Sequence, residues 1–457
     1  MKRILLIFGV IFSLWQMQGL LSGCAQISYP TGGVRDSLPP KLKSANPPSG
    51  TTNFKGKNIV LNFDEYIQLQ DLQQNLLVAP TPKNNPYIDY KLRAVTIKLR
   101  DSLEPNTTYI INLGNSIRDI NENNAINNYT YIFSTGPTID SLNFSGTVQL
   151  AETGRADTTL MVYLYKNLSD SAIVTQRPKY ISRLDGAGNF NFTNLSGGMY
   201  KVYALKDGDG SKTYNAKTEL FAFSDSVVTV NEKTKPVNLF AYAEQKDLPV
   251  IRSSSEKLLK YTTVFQGKQD LLNPLVIEFN KPLKNLDPQK ISITDTLLTV
   301  YKDAVVTLDS TKRKIFINKA WQENTDYKLI ILKDVATDTN GISLLRSDTI
   351  RFKSKSENEY GNLKLNFPKN IDLKKNPVLQ FVVNNEVVFS SPLTALVWNN
   401  KLFKPGDYEF RILYDDNKNG KWDPGNYQKK IQPEKVVSYP ARLNVKADWE
   451  NDIDIKL

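Results

Sequence analysis

Three features of this 457-residue chain predict an all-β fold built as a tandem array of four β-sandwiches. Short runs of alternating apolar and polar residues recur along most of its length, each bounded by Asn, Pro or Gly turn signals. No stretch sustains helical spacing beyond a single turn near Asp71 to Leu76. The segment Tyr408 to Gly425 (YEFRILYDDNKNGKWDPG) also answers an earlier one, Tyr200 to Asn215 (YKVYALKDGDGSKTYN). Asp415 matches Asp207 at an offset of 415 − 207 = 208 residues. That spacing is too long for a solenoid and suits a duplicated pair of domains.

Composition removes whole classes of chemistry. The chain has no histidine and a single cysteine, which excludes Ser-His-Asp and Cys-His nucleophiles, His-ligated zinc, haem, iron–sulfur clusters and structural disulfides. Carboxylate or lysine chemistry and oxygen-ligated cations remain open. The net charge of +11 arises from 58 basic and 47 acidic residues dispersed along the chain. Nucleic acid is therefore not an expected partner, since such binders concentrate their charge on one element.

The N-terminus sets the compartment. Lys2 and Arg3 precede an apolar run from Ile4 to Trp15, and the segment closes on Leu21-Ser22-Gly23-Cys24, a bacterial lipobox. Residues 1–23 are expected to be a lipoprotein signal peptide, removed to leave a lipid-modified Cys24. Residues 24–38, rich in Gly, Pro and polar side chains, read as a tether to the first domain.

The first module, 39–137, places strands at Ile59–Phe63, Ala94–Leu99, Thr108–Gly114 and Tyr129–Thr135. Its Asn46-Pro47-Pro48-Ser49-Gly50 turn, the Val60-Leu61-Asn62-Phe63 strand running into Asp64-Glu65, and the Pro105-Asn106-Thr107-Thr108-Tyr109 turn resemble the SbsA-type bacterial immunoglobulin-like domain of envelope proteins. The second, 138–245, runs from FSGTVQL through MVYLYKN to Asp185-Gly186-Ala187-Gly188-Asn189-Phe190-Asn191-Phe192 and Gly198-Met199-Tyr200. That succession resembles the carboxypeptidase-regulatory-like, prealbumin-like sandwich, a non-catalytic module. Leu275–Phe279, Glu323-Asn324-Thr325-Asp326-Tyr327 and Arg351–Ser354 then answer the first module, giving a second Ig-like domain at 246–356, and 357–457 repeats the prealbumin-like one.

The repeat carries the candidate metal ligands. Asp415, Asn417, Asn419 and Asp423 stand at relative positions 1, 3, 5 and 9, with Gly420 at 6. Hard oxygens on alternate residues around a tight loop suit calcium. The same residues also suit an Asx-rich turn that satisfies its own backbone amides. Asp207, Asp209, Ser211 and Asn215 are a weaker version, with Lys212 where Gly420 stands. Asp64-Glu65 and Asp119 with Glu122 sit at strand ends and turns, the ordinary place for solvated acids rather than a glycosidase pair. Trp398, Trp422 and Trp449 are candidates for either a sugar-stacking platform or module packing.

Asp followed by Ser or Thr and a small or apolar residue resembles the O-glycosylation acceptor of Bacteroidota envelope proteins. It occurs at Ser37, Ser102, Ser141, Thr158, Ser171, Ser226, Thr296, Ser310 and Thr349, more often than composition alone would supply. As a whole the chain resembles outer-membrane lipoproteins of Bacteroidota with such modules. The resemblance implies a non-enzymatic lipid-anchored scaffold at the cell surface, an accessory subunit of barrel-assembly, secretion or uptake machinery. A glycan-binding surface protein is the alternative. No cofactor beyond a structural calcium ion is expected.

Overall fold

The computed structural model describes residues 36–246, 257–265 and 267–456, so Cys24, the signal peptide and nearly all of the tether lie outside the described residues. Among the described residues helix is confined to the single turns Leu72–Asn75 and Ala172–Thr175 and three short 3₁₀ turns, and the remaining elements are strands. Among the described residues there are two compact units. One holds residues up to Ile139 apart from Ala79–Thr81, and the other holds those three and the residues from Asp140 onward.

In the first sandwich, the strands Leu42–Asn46, Asn58–Phe63, Ala94–Lys98 and Tyr87–Lys91 form one sheet, and Leu77–Ala79, Thr108–Gly114 and Tyr129–Ser134 form another. Alternation does the sorting. Ile59, Leu61 and Phe63 point inward from one sheet to meet Tyr109, Ile111, Leu113, Tyr131 and Phe133 from the other. Ile67–Leu69 pairs with Ile117–Asp119 as a small two-stranded ribbon beside them.

The second unit contains three further sandwiches. In the first of these, Asn189–Leu195, Leu142–Leu150 and Val237–Ala241 form one sheet, with the last two strands parallel. Tyr180–Arg183, Met161–Tyr165, Gly198–Leu205 and Phe221–Phe223 form the facing sheet. The final sandwich repeats this plan. Val397–Phe403, Gly361–Asn366 and Glu450–Asp454 make one sheet, again with a parallel last pair, opposite Glu386–Pro392, Pro377–Val383, Gly406–Tyr414 and Val436–Val445. The sandwich between them reproduces the strand order of the first unit: Tyr261–Thr263, Leu275–Phe279, Lys314–Asn318 and Val305–Leu308 face Lys268–Gln269, Asp348–Ser354, Asp326–Ile331 and Ile291–Thr294. We refer to the four sandwiches in chain order as modules one to four.

Turn geometry repeats as closely as strand order. In module one the Tyr109 hydroxyl accepts from the Glu104 N–H at 2.7 Å, Thr107 N–H donates to Thr135 Oγ1 at 3.0 Å, and Asn106 adopts φ 47°. In module three Tyr327 accepts from Gln322 N–H at 3.1 Å, Thr325 N–H donates to Ser354 Oγ at 2.9 Å, and Asn324 adopts φ 48°. Between modules two and four, Asn194 and Leu402, Gly198 and Gly406, and Lys212 and Gly420 all share positive φ at the same 208-residue offset. Tyr200 and Tyr408 each donate a hydroxyl proton to the carbonyl four residues back, Ser196 and Lys404. A lysine holds the left-handed conformation that glycine takes in the other copy, so the loop bonds around it impose that backbone against its preference.

The acids of module one close turns. Asp119 is buried and its carboxylate accepts from the N–H groups of Glu122 (2.6 Å), Asn123 (2.7 Å) and Asn124 (2.9 Å). Asp64 accepts from Lys41 N–H at 2.8 Å. Burial acts to raise the Asp119 carboxyl, but the amide donors outweigh it and hold the group below the usual range. Its contribution is therefore present above the unfolded carboxylate pKa of about 3.9 and is lost as pH falls through the lower folded value. Asp119→Asn should lower stability by about 1–2 kcal/mol at neutral pH. Urea titrations from pH 7 to pH 3 should show the gap between variant and wild type closing below about pH 4.

Candidate functional site

Module two has a sheet that is buried on both faces, and its sequence says why. In Met161–Tyr165 (MVYLY) and Gly198–Leu205 (GMYKVYAL), Val162, Leu164, Tyr200, Val202 and Ala204 enter the sandwich core. Tyr163, Tyr165, Tyr203 and Leu205, of opposite parity, form a second, aromatic cluster on the outer face with Phe221, Phe223, Tyr214 and Tyr242. A solvated sheet face would alternate cleanly; this one needs a cover.

Part of the cover comes from module four. Tyr427, 6% exposed, stands edge-on to Tyr203, Phe221 and Phe223, with ring centroids 5.8, 5.1 and 5.3 Å away. Its hydroxyl lies 2.9 Å from that of Tyr203 and donates to the Asp170 carbonyl at 2.8 Å. Lys430 sits 3.5 Å above the Tyr427 ring and pairs with the Asp170 carboxylate at 3.0 Å. Lys201 also bonds Asp170, and the two ammonium groups hold that carboxyl below its ordinary value. Gly425 is needed for the approach, because a Cβ there would fall 2.5 Å from the Tyr242 ring. Gln432 donates to the Phe223 carbonyl at 3.0 Å.

A second line of contacts runs beside the first. The outer face of module four presents Gln380 and Arg411, cross-strand partners buried without joining the core. Arg411 donates from Nε to Gln380 at 2.8 Å and from Nη1 to the Glu152 carbonyl of module two at 2.6 Å. Ser438 donates to the Thr153 carbonyl at 2.6 Å, and Arg155 pairs with Glu409 at 2.5 Å. Modules two and four thus dock directly, although module three lies between them in sequence.

The Asp/Asn loop is the root of the segment that carries Tyr427. The structure brings all four residues of that loop together. Asp415, 2% exposed, accepts from Asn419 N–H at 3.2 Å and Gly420 N–H at 2.6 Å. Asn417 and Asn419 both donate side-chain amides to Asp423 Oδ2, at 2.5 and 2.6 Å. Buried Glu434, which sequence reasoning missed, accepts from Asp416 N–H at 2.9 Å and Asp423 N–H at 3.0 Å. Burial pushes its carboxyl up against those amide bonds, and neighbouring Asp415 and Asp423 push the same way. Oxygen donors of the kind calcium takes are present, yet in this arrangement the amide nitrogens of both asparagines face Asp423. Among the described residues no group of three or more acids, histidines or cysteines is disposed to hold a metal ion.

The earlier loop follows the same pattern. Asp207 accepts from Lys212 N–H at 3.1 Å, five residues on, as Asp415 does from Gly420. Asp209 accepts from Ser211 N–H at 2.9 Å and from the Asn215 side chain at 2.7 Å, which hold its carboxyl well below the usual range, and Asn215 also reaches Ser211 Oγ at 3.3 Å. Both loops close through their own hydrogen bonds.

The three tryptophans do not form a platform. Trp398 packs on Phe381, Phe389 and Phe403, and Trp422 packs beside the aromatic cluster while donating to the Glu434 carbonyl at 3.0 Å. Only Trp449 is exposed, at 60%. Apolar burial took the other two. All nine serines and threonines of the acceptor motif lie exposed, eight of them in loops or turns and Thr349 on a strand.

Tyr427 and Lys430 left one trace in the sequence. Leu205 pairs with Phe221, and Leu413 pairs with Val436, so the connection is 436 − 413 = 23 residues in module four against 221 − 205 = 16 in module two. The seven additional residues lengthen the segment that docks.

Residues 36–135 match the bacterial Ig-like domain. The hydrogen bonds shared with module three place the same turn chemistry beyond this bacterial Ig-like domain. No curated protein matches the chain. Among solved structures, native alpha-2-macroglobulin from Escherichia coli is similar at 12% identity over 43% of this chain and 93% of that one, with a TM-score of 0.21. BcpA, the major pilin subunit of Bacillus cereus, is similar at 12% over 69% and 99%, with a TM-score of 0.17. The Bacillus anthracis TIE protein is similar at 12% over 93% and 76%, also at 0.17. Similarity this low carries nothing about function.

Two outcomes follow from this geometry. Tyr427→Ala should destabilise the docked pair by about 3–5 kcal/mol, as expected for removing a buried aromatic ring. Tyr427→Phe, which keeps the ring and loses the hydroxyl bonds, should cost about 1 kcal/mol, both read by thermal unfolding. Melting in millimolar calcium and in chelator is expected to coincide for wild type and Asp423→Asn alike, because the loop is closed by its own amides. A calcium-dependent rise confined to wild type would instead assign an ion to Asp415, Asn417, Asn419 and Asp423.

Proposed function

We propose that the chain is a non-enzymatic envelope scaffold of a Bacteroidota bacterium, anchored to the outer membrane through lipid on Cys24 and serving as an accessory subunit of an outer-membrane protein complex. The observation that carries this reading is the docking of module four on module two. Of its chemically distinctive side chains, Tyr427, Lys430 and Arg411 hold the two modules together, and Asp415, Asp423 and Glu434 close the loop that presents Tyr427. Two modules docked on one another suit the positioning of a large partner. The bacterial Ig-like match of residues 36–135 supports a structural role, and the lipobox Leu21-Ser22-Gly23-Cys24 supports the anchor. Exposure of all nine acceptor residues supports O-glycosylation of the exported protein.

Glycan binding at the cell surface is a second reading, favoured by exposed Trp449 with the Lys446 ammonium 4.5 Å from its ring. Pull-down through a C-terminal tag separates the two: stoichiometric outer-membrane barrel proteins are expected for the scaffold, and their absence would turn the reading toward glycans. In the same cells Cys24→Ser should leave an unprocessed precursor or release the protein from membranes. Continued membrane association of correctly cut Cys24→Ser protein without any partner would overturn the anchor.

A further inference from the structure

Module three carries a hairpin whose tip has no structural reason to be apolar. Leu297 is 84% exposed, the highest of the large exposed hydrophobic side chains among the described residues, and Leu298 and Val300 follow at 58% and 54%. The tip is built rather than loose. Asp295 accepts from Leu297 N–H at 2.8 Å and Thr299 N–H at 2.9 Å, and Thr294 bridges to Val300. Leu298 holds φ at 71°, a conformation that leucine disfavours and that Asn or Gly would take without strain. Both hydration and backbone preference oppose leucine at this position, so a role outside the fold is the simpler account.

A basic cleft adjoins the tip. Thr294 pairs with Lys328, Lys328 with Arg351, and Asp326 with Lys353 across neighbouring strands. Tyr327, Leu329 and Phe352 point into the core, so Lys328, Arg351 and Lys353 share the outer face. They line a cleft of about 540 Å³ together with Asp326 and Thr296. Lys328 donates to the Thr296 carbonyl at 2.8 Å, tying the cleft to the base of the leucine tip. None of the three cations forms an ion pair among the described residues, and Asp326 is the one carboxylate in the cleft. Arg351 and Lys353 therefore stand in the cleft beside two protruding leucines, with Lys328 between them and the Asp295 carboxylate at the base of the tip.

We propose that this face of module three is a membrane-contacting site, in which Leu297 and Leu298 enter the headgroup region of a leaflet while Lys328, Arg351 and Lys353 engage the phosphates of anionic lipids. Charge complementarity selects that partner: apolar side chains at a tip and cations behind them match an anionic interface. Two leucines and a valine are far too small for a stable protein interface, which needs roughly 1,000 Å² of well-packed surface. The site is independent of the Cys24 anchor, requires Thr296 and Thr349 on the same face to be free of glycan, and would orient a chain already held at a membrane.

The test uses the chain from residue 24 onward carrying Cys24→Ser, so that no acyl group contributes. It is sedimented with phosphatidylcholine vesicles with and without phosphatidylglycerol. Binding is expected with the anionic lipid only. Leu297→Ser/Leu298→Ser should weaken it more than about tenfold, and Arg351→Gln or Lys353→Gln about fivefold each. These positions are exposed or half-buried on the surface, and unchanged melting temperatures would show that the variants fold. No binding to anionic vesicles, binding indifferent to these substitutions, or retention on a soluble polyanion such as dextran sulfate without vesicle binding would each overturn the proposal. Failure here leaves the anchor and scaffold readings standing, since those are read from fractionation and pull-down.

Discussion

The aromatic face on the outside of module two is the constraint around which the larger unit is organised. A sheet that buries tyrosines and phenylalanines on one side and a sandwich core on the other cannot leave either side in water, because each large side chain exposed there would forfeit about 1.5–3 kcal/mol of burial. Tyr163, Tyr165, Tyr203 and Phe221 are covered by the Ala172–Thr175 turn, the loop around Tyr214, and the segment of module four that presents Tyr427. Tyrosine suits the seam. Its ring joins the cluster while its hydroxyl reaches the Tyr203 hydroxyl and the Asp170 carbonyl, so no buried polar atom of Tyr427 is stranded.

The seam joins two modules of one plan and needs no new architecture. Modules two and four share strand order, a parallel closing strand, the tyrosine bonded four residues back, and the acid that caps a left-handed residue five positions on. They differ where they meet. A connection seven residues longer lets module four reach across, and the outer-face pair Gln380 and Arg411 gives it a polar second contact with Glu152. The buried guanidinium, whose charged form burial disfavours, is held in place by a carbonyl and a carboxylate of the other module.

Acidic residues that resemble ligands in a one-dimensional pattern serve two physical ends here. Asp415 and Asp207 satisfy the N–H groups of tight loops, where an unbonded amide would cost about 1–3 kcal/mol, and Asp119 does the same in module one. A shared spacing of oxygens therefore reports loop closure as readily as cation binding.

By itself the sequence determined the secondary structure and the module plan. Alternation in Thr108–Gly114, Leu275–Phe279 and Gly198–Leu205, bounded by turn residues with a preference for positive φ, is local information, and the structure places strands at all three. The convergence of Asp415, Asn417, Asn419 and Asp423 was legible for the same reason, being contained within one loop. Tertiary structure alone decided what the second parity of MVYLY and VYAL faces, that Trp398 and Trp422 pack rather than project, and that Glu434 joins the loop from eleven residues beyond Asp423. Those outcomes depend on which surfaces from distant parts of the chain bury one another, and hydrophobic burial is non-directional: it records that a side chain needs cover and leaves the identity of the cover to the fold.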